Sequence, residues 1–175
     1  MKRTVLTFGL ISGAVSSLMM IGTLPFIDSL GFDRGAIVGY SAIVLSFLLV
    51  FFGIRSYREN VGAGTITFGR GLAVGILITL ISCAFYVATW EVVYFKFMPD
   101  FGDKYAGYMV AQAKAAGASQ AAIDAKMKEA REFKVLYDKP LVNIAMTFTE
   151  PFPIGLVVTL VSAAALRKRA KSRAA

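Results

Sequence analysis

Four long apolar runs divide the chain, with polar or charged residues between them. The first extends from Val5 to Ile27, VLTFGLISGAVSSLMMIGTLPFI, and the second from Gly35 to Ile54, GAIVGYSAIVLSFLLVFFGI. The third covers Gly71 to Phe97 and the fourth Leu141 to Leu166. Each reaches the roughly 20 residues that an α-helix needs to cross a hydrocarbon core of about 30 Å. A bilayer offers backbone amides no water, so spanning segments of this composition must satisfy their hydrogen bonds internally as helices. The pattern predicts an all-α membrane protein with four transmembrane helices, organised as a single membrane domain over residues 1–175. Lys2 and Arg3 ahead of the first run also suit a signal peptide. The run exceeds the usual apolar region of such a peptide, and no A-x-A-like site follows it, so a retained first span is expected.

One segment has a different pattern. Residues 98–139 are polar and Ala-rich, and they predict two helices outside the bilayer. Pro99 stops the third span. Asp100 is placed to cap the next helix, with Asp103 in its first turn. Gly117 interrupts that helix, and Ser119 is placed to cap another reaching Tyr137. On this last helix Ile123, Met127, Ala130, Phe133 and Tyr137 recur at helical spacing and share one face. Lys126 and Lys134 border it. The face suits either a partner or membrane surface, with the lysines snorkelling, or a hairpin that caps its own bundle.

Composition sharpens the membrane assignment. Hydrophobic residues make up 57% of the chain and the mean hydropathy is +0.64, against about 45–50% apolar residues in soluble domains. The net charge is +8, and its distribution predicts orientation. Lys2 and Arg3 precede the first span, and Arg55, Arg58 and Arg70 lie between the second and third. The tail 167–175 carries Arg167, Lys168, Arg169, Lys171 and Arg173. With four spans these groups fall on one side, which the positive-inside rule makes cytoplasmic, with both termini inside. Segment 98–139 is then extracytoplasmic. Arg55, Arg58 and Arg70 are expected at the inner headgroups, where each basic residue gains about 1 kcal/mol against anionic lipid. The expected partners are therefore the anionic bilayer and, through helix faces, further copies of the chain or other membrane proteins. Nucleic acid is not expected.

The chain has no His and one Cys. That argues against disulfide frameworks, most zinc sites, haem attachment and His-based catalysis, so no enzyme activity, cofactor or metal is expected. Cys83, mid-span, reads as a small packing residue. Three Gly-x-x-x-Gly pairs, Gly9 with Gly13, Gly35 with Gly39 and Gly71 with Gly75, mark faces where helices approach closely. Tyr86, Trp90 and Tyr94 suit an aromatic belt at the extracytoplasmic interface.

The stretch joining the second and third spans, FFGIRSYRENVGAGTITFGRGLAVG, resembles the bacterial membrane proteins grouped as domain of unknown function 4199. The resemblance rests on Gly53-Ile54-Arg55, Tyr57-Arg58, a glycine-containing loop, Phe68-Gly69 and Gly75. Arg55 stands where such proteins commonly carry Lys, which keeps the charge. The resemblance implies a four-span fold in a bacterial membrane and no particular reaction; the inner membrane is the expected location.

Two acids fall within the spans, Glu91 and Glu150. Glu150 belongs to TFTEPFPIG, where Pro151 and Pro153 would free the carbonyls of Thr147 and Thr149. A carboxylate, freed carbonyls and the hydroxyls of Thr147 and Thr149 compose a candidate ion or proton site, with Glu91, Tyr86 and Lys96 within plausible reach. The same residues fit a protonated carboxyl at a helix kink, or a fourth span that starts only at the prolines. The expected function is a structural or interaction role without catalysis. The alternative is a small proton- or cation-coupled carrier or channel-like protein built on these acids.

Overall fold

The computed structural model describes residues 1–168, so the basic tail expected beyond Lys168 lies outside the described residues. Helices dominate: α1 (Lys2–Thr23), α2 (Ile27–Asn60), α3 (Phe68–Val92), α4 (Phe101–Ala115), α5 (Gln120–Tyr137), α6 (Pro140–Phe148) and α7 (Pro151–Leu166). Among the described residues the only β pairing is an isolated bridge between Ile66 and Lys168. Three helical stretches are long and apolar enough to cross a membrane: Lys2–Asn60, Phe68–Phe97 and Pro140–Leu166.

The first of these is not a straight rod. A 3₁₀ turn at Leu24–Phe26 joins α1 to α2, and Gly31 breaks α2 with φ 69° and ψ 174°. Only glycine adopts that backbone conformation without strain. Around this reversal α1 folds back to pack on α2. The reversal is helical up to Gly31, where the hydropathy pattern predicts a turn from Asp28 to Arg34.

α3 is the central helix, packed against α1, α2, α6 and α7. The core joins Val5 of α1, Ile43, Phe47, Val50 and Ile54 of α2, Val74, Ile78 and Cys83 of α3, and Leu166 of α7. Two of the three glycine pairs build close crossings. A Cβ on Gly9 would lie 2.9 Å from Ile81 Cβ, and one on Gly13 would lie 2.6 Å from Phe85 Cγ. Gly71 lies against Ala163 and Gly75 against Thr159. The last contact is reciprocal, because Thr79 packs on Gly155 while its hydroxyl meets that of Thr159 at 3.1 Å. The third pair departs from expectation. Gly35 and Gly39 have nothing within 4 Å of a Cβ position, because α1 leans on a deeper part of α2 marked by Ala42, Ile43 and Ser46.

Buried and half-buried hydroxyls tie the crossings together. Ser12 donates to the Ser46 carbonyl at 2.9 Å and meets Ser82 at 3.0 Å, and Ser17 meets Thr89 at 2.7 Å. Interhelical bonds of this kind average about 0.6 kcal/mol each within a membrane, where apolar burial between helices no longer drives association.

The two ends of the bundle differ in charge. At one end Arg70 approaches Met1, Arg58 donates to the Leu166 carbonyl at 3.3 Å, and the Ile66–Lys168 bridge closes the α2–α3 loop onto the end of α7. Arg58 also pairs with Glu59 at 2.6 Å, while Arg55 is exposed. At the other end α4 and α5 form a helical hairpin. Ser119 caps α5 by accepting from the Ala122 amide, whereas Asp100 precedes α4 without a side-chain cap bond. The hairpin reaches the α1–α2 reversal. Lys104 lies 3.1 Å from Asp28, Tyr108 donates to Asp33, and Phe32 packs among Phe101, Tyr105 and Tyr108.

Candidate functional site

The polar groups of the third and fourth apolar runs converge where α3, α5 and α6 meet. Tyr86, Trp90 and Tyr94 recur every four residues on α3 and its π-helical extension Val93–Phe97, so they share one face. Each donates a hydrogen bond across that face. Tyr86 donates to Glu150 Oε2 at 3.0 Å, Trp90 Nε1 to the Tyr137 hydroxyl at 2.8 Å, and Tyr94 to Asp138 Oδ1 at 2.6 Å. The expected aromatic belt is therefore a ladder of donors turned toward the hairpin and α6. Tyr94 is buried and the other two are partly buried, because their polar tips have partners inside the protein.

The middle rung continues inward. Tyr137 meets Thr147 Oγ1 at 3.1 Å, Thr147 donates to Asn143 Oδ1 at 3.0 Å, and Asn143 Nδ2 returns to the Tyr137 carbonyl at 3.2 Å. Asn143 and Thr147 are fully buried. Burial pushes the Tyr137 phenol above its ordinary range against the opposing bonds to Thr147 and Trp90, with smaller contributions from the charges of Glu150 and Glu91. Both acids thus lie within electrostatic reach of Tyr137. The lower rung is ionic. Hydrogen bonds from Tyr94 and then Lys134 hold the Asp138 carboxyl below the usual carboxylate range, and the same partnership raises Lys134.

The prolines explain the local backbone. Pro151 occupies the first turn of α7, a position where the absent amide hydrogen is not needed. TFTEPFPIG is therefore a break between two helices, α6 and α7, not part of one continuous helix. The carbonyl of Thr147, expected to be freed by Pro151, instead accepts from the Glu150 amide at 3.3 Å. Thr149 is not part of the cluster either: its hydroxyl turns back to the Met146 carbonyl at 2.6 Å. Glu150 sits at the N-cap of α7 without capping it, its side chain reaching Tyr86.

Of the expected site residues, Thr147 and Glu150 therefore join hydrogen-bonded pairs around this junction. Glu91 lies within electrostatic reach of Tyr137, with its Oε1 buried and without a hydrogen-bond partner among the described residues. Lys96 is exposed on the π-helical turn. Tyr137 and Asn143 were not expected here. Tyr137 reads as the last apolar position of the α5 face, and Asn143, in LVNIAMTF, is the one amide in that apolar run. No group of three or more His, Cys, Asp or Glu arranged to hold a metal occurs among the described residues.

An all-helical bundle with apolar helices long enough to span a membrane, a polar hairpin at one end and a basic end opposite defines the class. A family model described as protein of unknown function (DUF4199) matches residues 7–168. The chain belongs to that family. No curated protein and no solved structure matches it.

Proposed function

We propose that this chain is a four-span protein of the bacterial inner membrane with both termini cytoplasmic. Its role is structural or interactive, without catalysis, and is exercised through the extracytoplasmic hairpin and the basic cytoplasmic end. The fold-back at Gly31 supports counting Lys2–Asn60 as two crossings. The gathering of Met1, Arg58, Arg70 and Lys168 at one end supports a common side for the termini. Arg55, Arg58 and Arg70 then face anionic headgroups.

One observation carries the interaction reading. Asn143 and Thr147, just ahead of the α6–α7 break, are used to seat the hairpin, through the closed chain Trp90–Tyr137–Thr147–Asn143. A site built to bind a passing ion would leave such groups oriented toward a path. The free face of α5, with Asp124, Lys128, Arg131 and Glu132, is left outward for a partner of mixed charge. The carrier reading keeps one point in its favour, the buried and unbonded Oε1 of Glu91. Proton and monovalent-cation flux in proteoliposomes, wild type beside Glu150→Gln and Glu91→Gln, separates the two. The interaction reading expects no flux in any of them. Flux in the wild type that disappears in either variant would replace it with the carrier.

A further inference from the structure

The exposed and buried positions of α7 separate cleanly. Pro151, Gly155, Thr159, Ser162, Ala163 and Leu166 are buried, so the polar side chains of this helix point into the bundle. Met146 at the end of α6 and Pro153, Val157, Leu160 and Val161 on α7 are exposed. Glu150 falls in register with this second stripe, four residues after Met146 and three before Pro153, and it is exposed too. It lies about 15 Å along the helical path from Pro140, at 1.5 Å per residue, well inside the stretch Pro140–Leu166. Its one side-chain hydrogen bond is with Tyr86, which reaches it from the neighbouring helix.

Ionisable side chains inside a membrane almost always face the bundle interior or water. In the proposed four-span arrangement, on which this inference rests, Glu150 does neither: it is exposed on the outer surface of the Pro140–Leu166 stretch. A carboxylate bathed in hydrocarbon is far costlier than a neutral carboxyl, which can keep its proton and share a single hydrogen bond. We propose that Glu150 is a bilayer-facing proton-binding carboxyl, held neutral by lipid on one side and oriented by Tyr86 on the other. The titratable groups near it are Tyr86 on α3 and Tyr137 on α5, with Tyr40 of α2 beyond Tyr86 and Glu91 of α3 beyond Tyr137. None of them is a cation that would favour the ionised form. The inference stands whether or not the chain transports anything.

A neutral carboxyl facing lipid has a specific reactivity toward a lipid-soluble carbodiimide. The acid adds across one C=N bond, its proton going to nitrogen and its oxygen bonding the central carbon. The acyl group then moves to the neighbouring nitrogen, leaving a stable N-acylurea with no other reactant consumed. The test treats the full chain in proteoliposomes with dicyclohexylcarbodiimide at mildly acidic pH and maps adducts by peptide mass spectrometry. A charged, water-soluble carbodiimide serves as the comparison. The expected adduct of the lipid-soluble reagent is on Glu150, is lost in Glu150→Gln and persists in Glu91→Gln. The water-soluble reagent is expected to mark Asp124 and Glu132 and to miss Glu150. In Tyr86→Phe, loss of the donor that favours the ionised form extends the labelling to higher pH. No adduct on wild-type Glu150, or equal labelling by the water-soluble reagent, overturns the proposal.

Discussion

At the scale of single residues, Asp138 shows how position sets what an ordinary carboxylate does. It terminates α5, accepts from buried Tyr94 and pairs with Lys134 at 2.9 Å. Its carboxyl is held low, so its contribution to docking the hairpin is complete above the unfolded value near 3.9 and disappears only as pH falls through the lower folded one. Lys134 and Lys104 are raised, Lys134 chiefly by Asp138 and Lys104 by Asp28 and then Asp100. Their contributions persist below the unfolded lysine value near 10.4 and fade as pH rises through the higher folded values. Docking is therefore flat across neutral pH. Asp138→Asn should loosen the last turn of α5 by about 1 kcal/mol, a partly exposed bond discounted for screening. Hydrogen exchange in detergent or nanodiscs reads this as roughly fivefold faster opening of that turn, and unchanged exchange would deny Asp138 its role. The Ser119 cap and the extent of α5 are legible in the sequence, because both depend on neighbours in the chain. The bond to Tyr94 is not, since it depends on how a hairpin sits over α3.

Among the elements, glycine separates what a motif says from what packing uses. Three Gly-x-x-x-Gly pairs look equivalent in the sequence, yet only Gly9/Gly13 and Gly71/Gly75 meet another helix. Gly53 and Gly155, outside those pairs, are crossings too, against Ile78 and Phe8 and against Thr79 and Phe47. Gly155 carried a legible hint, because Gly155 and Thr159 repeat the spacing of Gly75 and Thr79. A motif defines a smooth face, but the tilt and rotation of the neighbouring helix decide whether that face is occupied. Gly13→Val should drive a branched side chain into Phe85 and destabilise the bundle by about 1–3 kcal/mol, the usual cost of overpacking. Gly39→Val, with open space around it, should change stability little. Unfolding in mixed detergent micelles compares the two, and equal losses would place α2 differently against its neighbours. The α6–α7 break follows the same logic. Pro151 and Pro153 announce a break, but its meaning came from Tyr137 and Asn143, which bring the hairpin into it.

For the whole molecule, the charge pattern, the fold-back at Gly31 and the seated hairpin support the proposed arrangement of four crossings, with a basic end and a helical cap at the other. The apolar runs made the helices legible. The cap's attachment through Lys104–Asp28, Tyr108–Asp33 and the aromatic ladder is long-range and could only come from the fold. The sidedness of this arrangement is the central claim. It is tested most directly by single cysteines in a Cys83→Ser background, labelled in intact cells with a maleimide that cannot cross the inner membrane. Ala121→Cys lies on the exposed surface of the hairpin, and Gly69→Cys lies at the opposite end with open space around it. The account predicts labelling at position 121 in intact cells, and at position 69 only after the membrane is permeabilised. Equal labelling of both without permeabilisation, or labelling of position 69 alone, would contradict it.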